Sequence, residues 1–259
     1  MLTITYVTIT YNAESTLPFT TDSVLAQDYQ AIEHLIIDGA SKDNTLKIAE
    51  SYKAKSDSRN NGHTVKIVSE PDRGIYDAMN KGLRMATGDY VCFLNAGDSL
   101  PNGRIVSHII ASLGNTDSQS LPAIIYGGTD IVNNERHNLG RRRLSPPEHL
   151  SWKSFRNGML VCHQAFYART DIAKQFPYNL AYRHSADFDW CIRIMRQAEA
   201  NHIPFHNTHL TLADYLKEGD TTQNHKASLK ERFDIMCLYY GKASTVLMHL
   251  WFLIRNIAK

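Results

Sequence analysis

A short apolar stretch that runs into a polar turn constrains the fold more than any other feature. Residues 90–94 (Tyr-Val-Cys-Phe-Leu) are rich in aromatic and β-branched side chains, with glycine before and after. Such a run is typical of a buried strand in a parallel sheet. It ends in Asn95-Ala96-Gly97-Asp98, and in open α/β sheets ligands bind outside the carboxyl ends of the strands. Asp98 is therefore a candidate ligand for a divalent cation on a phosphate, or it only caps the turn.

The first hundred residues alternate between strand and helix patterns. Strand patterns at 2–10, 34–37 and 65–68 precede the strand at 90–94, with helical patterns between them, whereas residues 54–63 are predicted to be a polar surface loop. This alternation predicts a mostly parallel sheet with helices on both faces. Each strand ends in a polar cluster, and the clusters are Tyr11-Asn12, Asp38-Gly39, Glu70-Pro71-Asp72 and Asn95 to Asp98. Four such clusters at one sheet edge indicate a phosphate- or nucleotide-type site.

The second half of the chain is more irregular. Helices are predicted at 105–113, from 188 onward and at 226–240, and strands at 123–128 and 162–167. Arg141, Arg142 and Arg143 open a basic loop that either is a solvated surface or contacts phosphate. The tail at 246–255 is apolar nearly all round but too short to span a bilayer. It can pack on the core, pair with another chain or lie on a membrane face.

Composition narrows the class of protein. A chain of 259 residues fits one large α/β domain, with or without a small appendage. The net charge of +2 gives no reason to expect nucleic-acid binding. Four widely spaced cysteines indicate buried thiols in a reducing compartment. The N-terminus has no basic region of the kind that begins a secretory signal, so we expect a cytoplasmic protein.

Five segments, in this order, resemble those of the family 2 glycosyltransferases. They are residues 7–12 (Val-Thr-Ile-Thr-Tyr-Asn), 36–45 (Ile-Ile-Asp-Gly-Ala-Ser-Lys-Asp-Asn-Thr), 70–82 (Glu-Pro-Asp-Arg-Gly-Ile-Tyr-Asp-Ala-Met-Asn-Lys-Gly), 88–98, and 186–190 (Ala-Asp-Phe-Asp-Trp). The third and fourth segments are similar to the bacterial surface-polysaccharide branch, of O-antigen and colanic-acid type.

The resemblance implies a GT-A fold, a Rossmann-like, mostly parallel sheet flanked by helices. Residues 1–100 would be the nucleotide-sugar half, 101–215 the acceptor half and 216–259 a C-terminal helical extension. The implied activity is inverting transfer of a sugar from a nucleotide sugar, expected to be UDP-linked, to a hydroxyl of a saccharide acceptor that is expected to be lipid-linked. Residues 243–259 would supply a peripheral membrane contact at the inner face of the cell membrane; the oligomeric state stays open.

The resemblance also assigns donor-side roles. Asp98 would ligate Mg²⁺ or Mn²⁺, hard cations that prefer oxygen ligands. This chain departs from the family's DxD motif, because Asn95-Ala96-Gly97-Asp98 leaves Asp98 as the one carboxylate of the turn. Asp38 and Asp72 have simpler alternatives, a helix-entry turn and a helix N-cap respectively. The nucleotide would be bound by Thr10, Tyr11, Asp38, Glu70, Asp72 and Asn95.

On the acceptor side, Asp187 matches the family's catalytic base. The glutamate that usually precedes it is Ala186 here, and Asp189 is the competing candidate. At helical spacing the two carboxylates point in different directions, and we favour Asp187. His163 and His184 are additional candidates for contacts with the diphosphate or the acceptor.

Two other classes of function compete with a glycosyltransferase. A nucleotidyltransferase acting on sugar phosphates also uses acidic metal ligands on an α/β sheet, but a glycine-rich basic phosphate loop would favour it. Residues 8–20 contain no glycine, lysine or arginine. A non-catalytic saccharide-binding protein with the same fold is the second alternative, because two carboxylates of the family pattern are missing.

Overall fold

Parallel strand pairing organises the first half of the molecule. The computed structural model describes residues 1–114, 120–217 and 225–257. In these residues the strands are β1 (Ile4–Thr10), β2 (Ile32–Asp38), β3 (Thr64–Ser69), β4 (Tyr90–Phe93), β5 (Ile124–Val132), β6 (Asn138–Arg141), β7 (Phe166–Arg169) and β8 (Phe205–Leu216). The helices are α1 (Leu17–Leu25), α2 (Thr45–Arg59), α3 (Ile75–Met85), α4 (Ile105–Ser112), α5 (Thr170–Ala173), α6 (Ala186–Ala200), α7 (His225–Tyr240) and α8 (Lys242–Ile257).

One sheet joins all these strands in the order β3-β2-β1-β4-β7-β5-β6, with β8 also paired to β5. β1 to β4 are parallel, as the sequence predicts, whereas β7 is antiparallel to β4. The register places Thr10 beside Asp38 and Asp38 beside Ser69. The predicted convergence of the polar strand ends on one sheet edge is therefore confirmed.

Two predicted elements have different bounds in the structure. Residues 54–59 are the last turns of α2 and not a loop, because Tyr52 and Ser56 face the core and an ion pair of 2.8 Å joins Lys53 to Asp57. The predicted strand at 162–167 is a short 3₁₀ turn, His163–Ala165, followed by β7. In both segments the packing against the rest of the protein, and not the polarity of the local sequence, decides the secondary structure.

Trp190 anchors α6 to the centre of the sheet. Its indole is fully buried, stacks on Tyr178 at 4.9 Å between ring centroids, and meets Phe93 of β4 edge-on at 5.5 Å. Asp187 lies three residues before Trp190, so both side chains project from nearly the same side of the helix. Packing of the indole against β4 therefore places the first turn of α6 beside the end of that strand.

A series of buried hydrogen bonds holds the end of β4 from the side of β1 and β2. The hydroxyl of Tyr52 donates to His34 Nδ1 (2.7 Å), and His34 Nε2 donates to Thr8 Oγ1 (2.8 Å). Thr8 in turn donates to the Leu94 carbonyl (2.7 Å). Burial lowers the pKa of His34 to about 3, which keeps the imidazole neutral and suited to this chain of bonds.

The buried indole gives a stability prediction. Trp190→Ala should lower the free energy of unfolding by about 3–5 kcal/mol, because it removes a large core side chain and leaves a cavity. Urea denaturation measures the loss. Trp251→Ala is the matched control, since the Trp251 side chain is 53% exposed and exposed positions usually change stability by less than about 0.5 kcal/mol. Equal losses in the two variants would contradict the packing.

The neutral His34 predicts acid sensitivity. In the unfolded chain the imidazole has its ordinary pKa, so the unfolded state binds more protons as the pH falls below about 6.5 towards about 3. Lowering the pH from 7 to 5 should therefore lower the free energy of unfolding by about 2 kcal/mol. His34→Gln should abolish that part of the pH dependence in urea titrations. A stability gap between the variant and the parent protein that is the same at both pH values would disprove it.

Candidate active site

The exposed ring of Tyr11 and the Asp72 carboxylate flank Gly39 at the carboxyl edge of β1 and β2, and we call the space between them the recess. The side chain is 61% exposed and lies over Gly39, whose missing Cβ would stand 3.3 Å from the ring and 3.2 Å from Asp72 Oδ2. A side chain at position 39 would therefore crowd the space between the ring and the carboxylate. The exposed ring of Tyr11 offers an apolar face on which a heteroaromatic base could stack.

The predicted donor residue Asp38 is fully buried and already bonded. Its carboxylate accepts from the Ser41 amide (3.0 Å), the Ser41 hydroxyl and the Ser69 hydroxyl (2.6 Å). It therefore fixes the turn after β2 to the end of β3, in line with the helix-entry alternative. A direct bond to the base would require Asp38 to give up one of these partners.

Lys81 joins the two acidic residues after β3. Its ammonium lies 2.9 Å from Glu70 Oε1 and 2.5 Å from Asp72 Oδ1. The N-cap alternative for Asp72 is wrong, because α3 begins after Gly74 and has no side-chain cap. The carboxylate remains at the wall of the recess instead, held in place by α3.

Apart from Asp72 Oδ1, which faces the Lys81 ammonium, two polar atoms at this edge are buried without a hydrogen-bond partner in the described part of the chain. They are Thr10 Oγ1 and Asn95 Oδ1. An unpaired buried polar atom costs stability, so such atoms are uncommon unless a ligand satisfies them. Both belong to the predicted set of nucleotide-binding residues.

Asp98 lies beneath its turn. The side chain accepts from Gln164 Nε2 (2.7 Å) and from the Leu216 amide (3.0 Å), so it ties the turn to β8. Burial raises the pKa of the Asp98 carboxyl, and these two hydrogen bonds partly offset that effect. The contacts give Asp98 a structural role whether or not it binds a cation.

Few side chains at this turn could bind a metal ion. No three His, Cys, Asp or Glu side chains within residues 1–114, 120–217 and 225–257 converge on a possible metal position. Asp98 is the one carboxylate of the turn, and a single carboxylate together with substrate phosphates is a set that Mg²⁺ uses. The residues therefore fit a cation carried mainly by the phosphates of a ligand.

Asp187 stands at the opening of the site on the first turn of α6. It accepts from the Tyr76 hydroxyl (3.1 Å) and from His163 Nδ1 (3.2 Å). Burial alone would raise the pKa of its carboxyl, but the interaction with His163, the Arg232 charge and the hydrogen bond from Tyr76 together outweigh burial. The net effect lowers the pKa and keeps the carboxylate ionised at neutral pH.

Asp189, the competing candidate for the base, faces away from this opening. Its oxygens accept from Tyr239 Oη (2.7 Å) and from Arg193 Nε (2.7 Å), and the residue is 3% exposed. The helical turn points it at α7, so the assignment of Asp189 as a catalytic residue is not supported by its position. It joins α6 to α7.

Glu231 of α7 anchors the segment that leads into α6. Its carboxylate accepts three successive backbone amides, those of Arg183 (2.8 Å), His184 (2.8 Å) and Ser185 (3.0 Å). An anion at a helix N-terminus is stabilised by the helix dipole and by charge-assisted hydrogen bonds. Glu231 thus holds the backbone that leads into the first turn of α6, the turn that carries Asp187.

Sequence reasoning missed Tyr76 and Glu231 and gave His163 only a minor place. Tyr76 lies within the Gly-Ile-Tyr-Asp segment, but nothing local indicates that its hydroxyl reaches Asp187. Glu231 lies 44 residues beyond Asp187 in an ordinary charged helix pattern.

In the basic loop, Arg142 donates to the carbonyls of Leu144 (3.1 Å) and Met159 (2.7 Å), so this arginine holds the loop.

The chain belongs to glycosyl transferase family 2. The model of that family matches residues 5–176, which include the recess, the Asn95–Asp98 turn and His163. The sequence resemblance to this family and the predicted GT-A, α/β fold are both confirmed.

Two curated relatives illustrate the range of the family. A PGL/p-HBAD biosynthesis glycosyltransferase of Mycobacterium bovis is 35% identical over 185 residues, which cover 71% of this chain and 66% of the relative. The chain thus spans slightly less than two thirds of that relative. The UDP-Glc:alpha-D-GlcNAc-diphosphoundecaprenol beta-1,3-glucosyltransferase WfgD of Escherichia coli is 27% identical over 229 residues, 87% of this chain and 82% of that protein.

Solved structures share the fold at low identity. TarS 1-349 of S. aureus in complex with UDP-GlcNAc superposes with a TM-score of 0.69 and 16% identity, over 99% of this chain and 73% of that one. The mannosyltransferase PcManGT of Pyrobaculum calidifontis, in complex with GDP-Man and Mn²⁺, gives 0.62 and 15%, over 96% and 70%. At this identity the likeness concerns the fold.

Proposed function

We propose that the protein is an inverting glycosyltransferase that moves a sugar from a UDP-linked donor to a hydroxyl of a saccharide acceptor in cell-surface polysaccharide synthesis. The observation that carries the proposal is the position of Asp187. An ionised carboxylate stands at the carboxyl edge of the sheet, joined through His163 to the turn after β4. Family membership supports the reaction class.

Asp187 is the proposed general base. In a single displacement the acceptor hydroxyl gives its proton to Asp187 while its oxygen forms a bond to the anomeric carbon. The bond from that carbon to the nucleoside diphosphate breaks, and configuration inverts. Tyr76 and His163 hold the carboxylate from two sides. They leave the base with a lowered pKa, which favours its ionised form before the acceptor binds.

The donor lies, in this proposal, across the ends of β1, β2 and β4. Tyr11 covers the base, with Asp38, Glu70 and Asp72 framing the recess below it. Thr10 and Asn95 supply two unpaired oxygen atoms: the Thr10 hydroxyl can donate to or accept from the nucleoside, whereas Asn95 Oδ1 can accept from it. A UDP-linked donor is proposed because TarS was solved with UDP-GlcNAc and WfgD is named for UDP-Glc.

A divalent cation, Mg²⁺ or Mn²⁺, is part of the proposal. Asp98 is the residue of the turn that would hold it, after releasing Gln164, and the diphosphate of the donor would supply the other ligands. When bound, such a cation offsets the charge that accumulates on the departing diphosphate. PcManGT, which shares the fold, was solved with Mn²⁺.

The outer face of α8 supports a lipid-linked acceptor. Within the residues that the structure describes, no helix has the length and apolarity to cross a bilayer. The exposed side chains of α8 nevertheless form an apolar stripe at helical spacing, made by Leu247, Leu250, Trp251 and Ile254. We propose that this stripe rests on the inner face of the cell membrane, where a lipid-linked saccharide would be presented. Residues 258–259 of the predicted contact lie outside the described residues.

The base assignment predicts a specific loss in Asp187→Asn. Turnover of a UDP-sugar should fall about 10²- to 10⁴-fold, the usual contribution of a general base. The dissociation constant for UDP, measured by calorimetry with and without Mn²⁺, should change less than about twofold, since Asp187 contacts no proposed donor residue except through His163.

Two matched variants make the result specific. Asp171→Asn changes a carboxylate that pairs with Arg169 on the surface and should keep full turnover. Asp189→Asn should lower the melting temperature but retain turnover, because it removes buried bonds to α6 and α7. Full turnover in Asp187→Asn, with loss of turnover in folded Asp189→Asn, would reverse the assignment.

The apolar stripe predicts membrane binding by the intact protein. The full chain should float with vesicles of phosphatidylglycerol and phosphatidylethanolamine, whereas the double variant Leu247→Glu/Trp251→Glu should stay at the bottom of the gradient. Leu139→Glu is the control, since Leu139 is an exposed apolar residue on β6 and not on α8. Flotation that is unaffected by the double variant would exclude the stripe as the contact.

A further inference from the structure

Two adjacent side chains contact the Asn95–Asp98 turn, which follows β4. His163 and Gln164 form the short 3₁₀ turn before β7. Gln164 Nε2 donates to Asp98 Oδ2 at 2.7 Å, and His163 Nε2 lies 3.2 Å from Asn95 Nδ2. Both polar side chains of the turn therefore take their partners from one dipeptide on a neighbouring segment.

The second nitrogen of His163 reaches Asp187. Nδ1 lies 3.2 Å from Asp187 Oδ2, and both side chains are largely buried. One tautomer satisfies both contacts: Nδ1–H donates to the carboxylate, and Nε2 accepts from the Asn95 amide nitrogen. In this arrangement Asn95 Oδ1 points elsewhere, and it is indeed buried without a partner.

The orientation of Asn95 matters because an amide, unlike a carboxylate, has two different ends. A carboxylate at position 95 would present oxygen whichever way it turned. Asparagine presents either an acceptor or a donor, and a neighbour must select the end that faces the ligand. His163 makes that selection here and leaves the oxygen free to accept from a hydroxyl.

We propose that His163 is a positioning residue that serves both halves of the site, turning the Asn95 oxygen towards a hydroxyl of the donor nucleoside and aiming the Asp187 carboxylate at the acceptor. The inference rests on the proposed function of Asp187 as base. Through its two contacts, His163 would align the Asn95–Asp98 turn with the proposed base Asp187.

Two substitutions separate the two contacts. In His163→Asn the amide nitrogen can occupy the place of Nδ1 and bond to Asp187, but the side chain no longer reaches Asn95. In His163→Gln the amide group can occupy the place of Nε2 and bond to Asn95, but the bond to Asp187 is lost. Tyr76 and Arg232 still face Asp187 in both variants.

The two variants should fail in different ways. His163→Gln should lower kcat roughly tenfold or more, the effect of losing one hydrogen bond to a charged group, with little change in the dissociation constant for UDP. Its acid limb in the pH profile of kcat/KM should move to higher pH, because the interaction that lowers the pKa of Asp187 is gone. His163→Asn should keep the acid limb and weaken UDP binding roughly tenfold.

Equal losses in both variants, or an unchanged acid limb in His163→Gln, would overturn the proposal. His108→Gln is the control for histidine replacement, since His108 is exposed on α4, and melting temperatures confirm that each variant is folded. Asp187→Asn is measured in parallel. If that variant keeps turnover, the assignment of the base fails, whereas the contrast in UDP binding between the two His163 variants still tests the Asn95 contact.

Discussion

The contact between Trp190 and Phe93 is the interaction on which the site depends. Both side chains are fully buried, and they join α6 to β4, the two elements that carry Asp187 and the Asn95–Asp98 turn. The residues of the site come from positions far apart in the chain, and their separation is set by how the helix lies on the sheet. A rigid apolar contact at this point holds the distance between Asp187 and the Asn95–Asp98 turn without using a polar group of the proposed site.

The acidic residues at the proposed nucleotide side already form hydrogen bonds or ion pairs within the protein. Asp38 and Asp98 are buried and bonded to serine, glutamine and backbone groups, and Lys81 forms ion pairs with both Glu70 and Asp72. These bonds stabilise the four turns in one arrangement before any ligand arrives. A preformed recess reduces the ordering cost that binding would otherwise carry. Within the described residues, Thr10 Oγ1 and Asn95 Oδ1 remain buried at this edge without a hydrogen-bond partner.

The sequence was sufficient for features encoded locally. The alternation of strands and helices, the polar ends of β1 to β4 and the opposite directions of Asp187 and Asp189 all follow from periodicity, and the structure has each of them. Contacts between distant segments were not predictable in this way. The bond from Glu231 to the start of α6 and the pairing of His163 with Asn95 depend on tertiary packing. The helical residues 54–59 were mistaken for a loop because the residue of this segment that reaches the core, Ser56, is itself polar.

Glu231 has a consequence for how far the molecule can be divided. The family model ends at residue 176, yet Asp187 and the carboxylate that holds the start of its helix both lie after that point. Asp187 lies on α6 and Glu231 on α7, so the position of the proposed base depends on a helix that follows it in the chain. A chain cut before α7 would keep Asp187 but lose the three hydrogen bonds that hold the start of its helix, so α6 and α7 form one unit of the site.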